Sequence, residues 1–215
     1  MDINNLEAKL KSHLSEKRFK HVLSVRDTAL RYAQSLKDHG LDFLEKEKCF
    51  FDDKYFQKIE IAALLHDYAK EFSNDEQISL AKFYGIEIFE EDLDKPNLLH
   101  ARIGSILVEE EFDIYDPVIL LAIKEHTFAG KNMNLASKII FLADMTEPGR
   151  DKKQLSPDLE MIRELILEKN QLDNALFLAV QKKTEYILNK RNMLHPLALY
   201  SWNYLVKRSK VHANH

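Results

Sequence analysis

The chain has 215 residues, 45% hydrophobic and 31% charged, with a formal net charge of −4. That length suits one domain with a substantial core, and the slightly negative charge argues against a general DNA- or RNA-binding protein. No apolar run approaches the roughly 20 residues of a membrane span, and Met1-Asp2-Ile3-Asn4-Asn5 lacks the basic-then-apolar pattern of a signal peptide.

The single Cys49 permits no internal disulfide and fits a cytoplasmic, reducing compartment. Five glycines and five prolines leave little punctuation. Strand-like alternation is not sustained anywhere, so the expected class is all-α. Leu6, Leu10 and Leu14 recur at helical spacing. A second helix should start near Ser15 and run through Phe19, Val22, Val25, Ala29 and Ala33, with His21 on the face of Val25 and therefore turned inward. From Asp38 to Lys54 the pattern weakens into a helix end and a loop that carries the charge run Glu45-Lys46-Glu47-Lys48. Asp52 or Asp53 then caps a helix with Ile59, Ile61, Ala62 and Leu65. Ser73 or Asn74 caps a short helix that Gly85 stops, and Ile86 to Leu98 is acidic and irregular.

A further helix starts near Leu98-Leu99-His100-Ala101 and ends in Glu109-Glu110-Glu111. Asp116-Pro117 announces the next by a cap residue followed by proline at the first helical position. Val118 to Ile123 makes that helix apolar on most sides, so it is expected to be central. Asn134 caps a helix through Ile139, Ile140, Leu142 and Ala143 that closes at Glu147-Pro148-Gly149-Arg150. Helices beginning at Ser156-Pro157, Leu172 and Pro196 read as C-terminal scaffold, and the basic tail Lys207-Arg208-Ser209-Lys210 reads as a solvated helix end.

Ala62-Ala63-Leu64-Leu65 drives toward a core and then stops at His66-Asp67, with Lys70 four residues beyond His66. Burial alone does not favour an imidazole beside a carboxylate, whereas a divalent cation would satisfy both. His21, His66, Asp67, His100, His126 and Asp144 all lie near helix ends beside apolar runs. Singly each reads as structural. Together, four histidines and two carboxylates suit iron, manganese, cobalt or zinc better than calcium or magnesium. His13 and His39 lie in polar surroundings, His195 precedes a proline, and His212 and His215 lie in a polar tail, so none of these joins the set.

The order His…His-Asp…Asp resembles the HD-domain metal-dependent phosphohydrolases. More narrowly, Arg18-Phe19-Lys20-His21, His66-Asp67-Tyr68-Ala69-Lys70, His100-Ala101, His126-Thr127 and the run from Ala143 to Arg150 resemble the YqeK family, the HD-type symmetrical bis(5′-nucleosyl)-tetraphosphatases. The likeness extends from about Arg18 to Tyr204, with Leu99 where an aromatic is expected and Ala129 where glycine is expected. It implies an HD-like helical bundle forming a single domain over residues 1–215, with a core over about 17–150 and a helical scaffold over 151–208. It also implies two divalent transition-metal ions, iron first, with manganese, cobalt and zinc as alternatives. One ion would be held by His21, His66, Asp67 and Asp144. The other would be held by His100 and His126, with Asp67 bridging.

Two such ions activate water and clamp both oxygens of an in-line displacement. A polyphosphate substrate also needs cations. Lys70, Arg18 and Arg150 are the candidates, since arginine can hold phosphate through two parallel hydrogen bonds. Thr127 is equally readable as a phosphate donor or a helix cap, and Tyr68 as packing or a contact to the base. Asp67 and Lys70 would carry the chemistry. The implied reaction is hydrolysis of diadenosine tetraphosphate at its centre to two ADP, without nucleic-acid or membrane partners and with a homodimer left open. The alternatives are another HD nucleotide phosphohydrolase, acting on deoxynucleotides or guanosine alarmones, and a metal-containing nucleotide sensor.

Overall fold

In the computed structural model, residues 3–45, 47–150 and 156–212 are described. Met1, Asp2, Lys46 and His215 lie outside the described residues, as do the side chains of Lys210 and His212. The described chain is almost wholly helical. Helix α1 (Ile3–His13) leads into α2 (Glu16–Asp38), whose N-cap Ser15 accepts from Arg18 N. Asp52 accepts from the amides of Lys54 and Tyr55 and so caps α3 (Asp53–Leu65). Ser73 and Glu76 form a reciprocal capping box on α4 (Asn74–Phe83), which ends before Gly85 at φ +63°.

The expected loop over Asp38–Lys54 contains a short antiparallel hairpin, β1 (Phe43–Leu44) with β2 (Cys49–Phe50). Two residues per strand are too few to leave a period-two pattern. The acidic stretch after Gly85 is also more ordered than expected, holding α5 (Glu90–Asp94) and a 3-10 turn at Pro96–Leu99. Then follow α6 (His100–Phe112), α7 (Pro117–Glu125), α8 (Leu135–Thr146), α9 (Ser156–Leu167), α10 (Leu172–Asn189) and α11 (Pro196–His212). No helix among the described residues is long and apolar enough to cross a membrane.

The expectation that α7 is central needs correction. Ile119, Ala122 and Ile123 are buried against α3, α6 and α8, but Leu121 is exposed and Val118 and Leu120 only half-buried. The centre is built instead by α3 and α8. Every residue from Ile61 to Leu65 and from Ile139 to Ala143 is buried. Both helices pack on α2 and on α7, so polar residues at their C-terminal ends are delivered to one place inside the bundle. Burying each Leu or Ile there contributes roughly 1.5–3 kcal/mol, which offsets the cost of carrying polar groups inward.

Candidate metal centre

Three of the four histidines are held by the same local device. His66 and His126 are the residues on which α3 and α7 end, and each Nδ1 donates to the carbonyl three residues earlier, Ala63 O at 2.7 Å and Ile123 O at 2.7 Å. His100 opens α6 and donates Nδ1 to Asn97 O at 2.6 Å. A carbonyl only accepts, so each Nδ1 carries the proton and each Nε2 presents a lone pair. The bonds also satisfy carbonyls at the ends of helical turns. The fourth histidine, His21, projects from the second turn of α2 with Nδ1 3.2 Å from Glu147 Oε1.

The four Nε2 atoms converge on Asp67. Its Oδ2 lies 3.6 Å from Nε2 of His21 and 3.6 Å from that of His66. Its Oδ1 lies 3.2 Å from His100 Nε2 and 3.6 Å from His126 Nε2. Each carboxylate oxygen therefore faces its own pair of imidazoles. Asp144, in the last turn of α8, adds Oδ1 at 3.1 Å from His21 Nε2 and 4.0 Å from His66 Nε2.

This arrangement fits divalent cations. The buried Nε2 atom of His66 has no hydrogen-bond partner, and that of His21 faces only the carboxylates of Asp144 and Asp67. The Nε2 atoms of His100 and His126 approach to 2.9 Å, although both Nδ1 protons are already donated elsewhere. Two lone pairs that close repel unless a cation lies between or beside them. His21, His66 and Asp144 form one set with donor atoms within 4.8 Å of one another, and His66, Asp67 and His126 form another. Imidazole with carboxylate favours a transition metal.

The electrostatics agree. Burial pushes the imidazole pKa of His66 down to about 4 and that of His100 to about 3, so both stay neutral and able to ligate. His21 differs: burial opposes its charge, but bonds to Asp144 and Glu147 outweigh this and raise it to about 8. Asp67 and Asp144 are also buried, which alone would raise them. Neighbouring histidines, with Arg150 beside Asp144, hold both well below the usual carboxylate range.

Cations ring the cluster. Arg18 Nη1 donates to Asp67 Oδ2 at 2.5 Å, and Arg150 Nη2 to Asp144 Oδ1 at 2.6 Å. Lys70 is not on a continuation of α3, which stops at Leu65. A tight turn, with Lys70 N bonded to Asp67 O at 2.9 Å, carries it inward. Its Nζ lies against the His100 ring, 3.1 Å from Nδ1 and 3.3 Å from Nε2, and burial lowers its pKa to about 8. Glu71 bonds Ser15 instead of Lys70. Thr127 Oγ1 is 3.4 Å from Nε2 of both His100 and His126. Tyr68 is turned away, stacked on His13 with its hydroxyl donating to Glu111 at 2.6 Å, so its role is packing.

Three residues outside the expected set matter. Glu147 orients His21 and is itself fixed by Ser24 Oγ at 2.8 Å and Gly149 N at 2.5 Å. Its place in Glu-Pro-Gly-Arg was the only signal, and there it read as a helix closure. Lys183 of α10 donates to Thr127 O at 2.6 Å, so the C-terminal helices reach the site. His195 is buried, contrary to the reading of it as an incidental residue before proline, because Asp92 lies 3.2 Å away and Phe128 stacks on it at 4.2 Å. His13 and His39 remain exposed. Ala129, where glycine was expected, has φ +59°, the left-handed backbone that favours glycine.

A family model described as HD domain matches residues 18–149. A symmetrical bis(5′-nucleosyl)-tetraphosphatase of Halalkalibacterium halodurans is 33% identical over 210 residues, covering 94% of this chain and 95% of that protein. One from Bacillus subtilis, of the same description, is 30% identical over 93% of this chain and 95% of its own length. A crystal structure from Clostridium acetobutylicum, described as a predicted HD superfamily hydrolase involved in NAD metabolism, superposes with a TM-score of 0.79. It is 31% identical, over 97% of this chain and 98% of that one.

Proposed function

The chain belongs to the HD-domain family, and within it to the symmetrical bis(5′-nucleosyl)-tetraphosphatases, and on that premise we propose that it hydrolyses diadenosine tetraphosphate at the middle of its polyphosphate bridge. One water is consumed and two ADP are released. The observation that carries the reading is the division of Asp67: each oxygen faces one pair of imidazole Nε2 atoms. His21, His66, Asp67 and Asp144 would hold one divalent ion, and His100 and His126, sharing Asp67, the second. Iron is the first choice, with manganese, cobalt and zinc as alternatives. Bound ions supply Lewis acidity to phosphate oxygens and lower the pKa of water.

The chain's own residues bind and orient the substrate. A groove of about 610 Å³ at His21 is lined by Lys17, Arg18, Lys20 and Arg150, a cationic track for a polyphosphate. Arg18 and Arg150 are occupied by Asp67 and Asp144 while those carboxylates carry the uncompensated charge. Once a divalent cation neutralises the carboxylates, the guanidiniums are released to phosphate, so substrate binding is coupled to metal loading. Lys70, whose ammonium faces the cluster without a bonded carboxylate, stabilises the negative charge that develops as ADP leaves. Thr127 Oγ1 is in reach to donate to a phosphate oxygen. The single Cys49 supports a cytoplasmic setting.

Incubation with diadenosine tetraphosphate and a panel of divalent metals, with chromatography of the nucleotides, tests the reading. ADP as sole product is expected. AMP with ATP, or no turnover with any metal, would overturn it.

A further inference from the structure

The loop between α7 and α8 begins with His126 and Thr127, and the C-terminal helices grip it from outside. Lys183 of α10 donates Nζ to Thr127 O at 2.6 Å. The Phe128 ring stacks at 4.2 Å on His195, which immediately precedes α11. Ser201 of α11, itself buried, donates Oγ to Ala129 O at 2.6 Å, and the Tyr204 hydroxyl bonds Asn132 Oδ1. All these contacts come from residues beyond the segment 18–149 that matches an HD domain.

The loop needs that grip. Ala129 and Asn132 both hold left-handed backbone, at φ +59° and +57°, which costs a residue other than glycine roughly 1–2 kcal/mol. Lys183 carries a cost as well. Burial lowers its pKa, no carboxylate of the described residues pairs with it, and Asp144 favours its charge without contact. Methionine would pack the same stem near Phe141, whose ring centroid lies 5.0 Å from Nζ, without bringing a charge inward. What the ammonium adds is the bond to the carbonyl of the residue after His126.

Only one side of the metal centre borders this loop. His126 Nε2 faces Asp67 Oδ1 beside His100 Nε2, and Thr127 Oγ1 lies 3.4 Å from both of those nitrogens. His21 and His66, on the Oδ2 side, stand on α2 and at the end of α3.

We propose that Lys183 and Ser201 are positioning residues for the Oδ1-side ion. By fixing the carbonyls of Thr127 and Ala129 they hold His126 Nε2 against Asp67 Oδ1, so α10 and α11 belong to the metal centre and are not scaffold alone. Neither side chain touches an ion. The proposal rests on the two-ion reading but not on the identity of the substrate.

The test is titration of the chelator-stripped full chain with Mn²⁺ against a competing chelator, in the wild type, His126→Ala, Lys183→Met and Ser201→Ala. Two binding steps are expected in the wild type, and the step lost in His126→Ala identifies the Oδ1-side ion. Lys183→Met should weaken that step about tenfold, as loss of a group that orients a ligand does. The other step should be no weaker, and the Tm of the metal-free chain unchanged or raised. Charge alone has the opposite sign, because removing a cation near the cluster tightens both ions. Ser201→Ala should weaken the same step about threefold or more. An Oδ1-side step of wild-type affinity in either variant overturns the proposal and leaves the two-ion reading standing. Equal weakening of both steps also overturns it, since these residues would then support the bundle as a whole. A wild type that takes up a single Mn²⁺ overturns the two-ion reading and the proposal together.

Discussion

Two clusters of charge are buried in this bundle, and they are finished differently. In one, Arg102 Nη2 bonds both oxygens of Asp92 at 2.7 Å, Arg102 Nη1 bonds Glu87 O at 2.6 Å, and Asp92 also receives Phe89 N at 3.0 Å and lies 3.2 Å from His195. Burial would raise the Asp92 carboxyl, yet His195, Arg102 and the Phe89 amide hold it below its ordinary value. Acid, base and amide meet within the cluster, and only Arg102 Nε lacks a partner. In the other cluster, around Asp67, the Nε2 lone pairs of His100 and His126 face one another at 2.9 Å, and the buried Nε2 atom of His66 bonds nothing. The first cluster closes on itself and staples α5, α6 and the start of α11. The second leaves imidazole and carboxylate lone pairs that a cation would satisfy. Unsatisfied polarity, more than burial or charge, separates the candidate site from the structural cluster.

Breaking each cluster at its central acid should therefore do opposite things. Asp67→Ala is expected to abolish turnover and to lower bound metal sharply, because both imidazole pairs lose the carboxylate they share. Elemental analysis beside steady-state kinetics checks this, and near-normal metal with activity would break the shared-carboxylate arrangement. His100→Ala and His126→Ala sharpen the division of the centre. Each should leave one metal per chain, held by the His21–His66–Asp144 side, with activity largely gone. Two metals retained in both would mean that the two sides are not separate.

Next in size is Lys70→Met. The substitution keeps the apolar stem and removes the ammonium beside His100. Full metal content with turnover down roughly 100-fold is expected, as for removal of one preorganised donor to developing charge. Metal loss instead would assign Lys70 to support of the histidines.

Asp92→Asn tests the closed cluster. Leaving Arg102 buried without its carboxylate should cost about 3–5 kcal/mol, a fall in Tm of roughly 10 °C. Activity per folded molecule should persist. An unchanged melting curve would show that the staple contributes nothing.

These clusters were not equally legible in the sequence. Apolar runs that halt at His66-Asp67, Glu125-His126 and Ala143-Asp144 mark helix ends that carry polar groups inward, and the caps Ser15, Asp52, Ser73, Asp116 and Asn134 sit where their residue types foretell. A buried acid beside a histidine is an anomaly that local pattern exposes. The closed cluster leaves no such mark. Asp92 lies in an acidic run, Arg102 looks like a surface residue of α6, and His195 is 103 positions from its carboxylate. Lys183 is similarly silent, since one lysine on an amphipathic helix is usually solvated. What makes these residues unusual is the tertiary neighbour, and periodicity carries no information about neighbours so distant in the chain.

The smallest expected effect is a pH profile that belongs to the open cluster alone. In metal-free protein, His66 and His100 are depressed to about 4 and about 3, below the unfolded value near 6.5. The unfolded chain then binds more protons between pH 6.5 and 4, so stability present above 6.5 is lost as the pH falls. At pH 5 each histidine accounts for about 2 kcal/mol of that loss. His21 has the opposite sign. Raised to about 8, it contributes stability fully below 6.5 and loses it as pH rises through 8. Lys70, lowered to about 8, acts only above that pH. Asp67, Asp144 and Asp92 are all lowered, and act only as pH falls below the ordinary aspartate value. Chelated protein should therefore show a Tm maximum near pH 6.5, falling on both sides. Metal-loaded protein should hold its Tm from pH 8 to 6.5, because ligation keeps the Nε2 lone pairs engaged, and should release metal as protons compete below 6.5. A Tm of the chelated protein that stays flat from pH 6.5 to 5 would mean that the histidines already bear protons in the fold, and that the cluster is as closed as the one around Asp92.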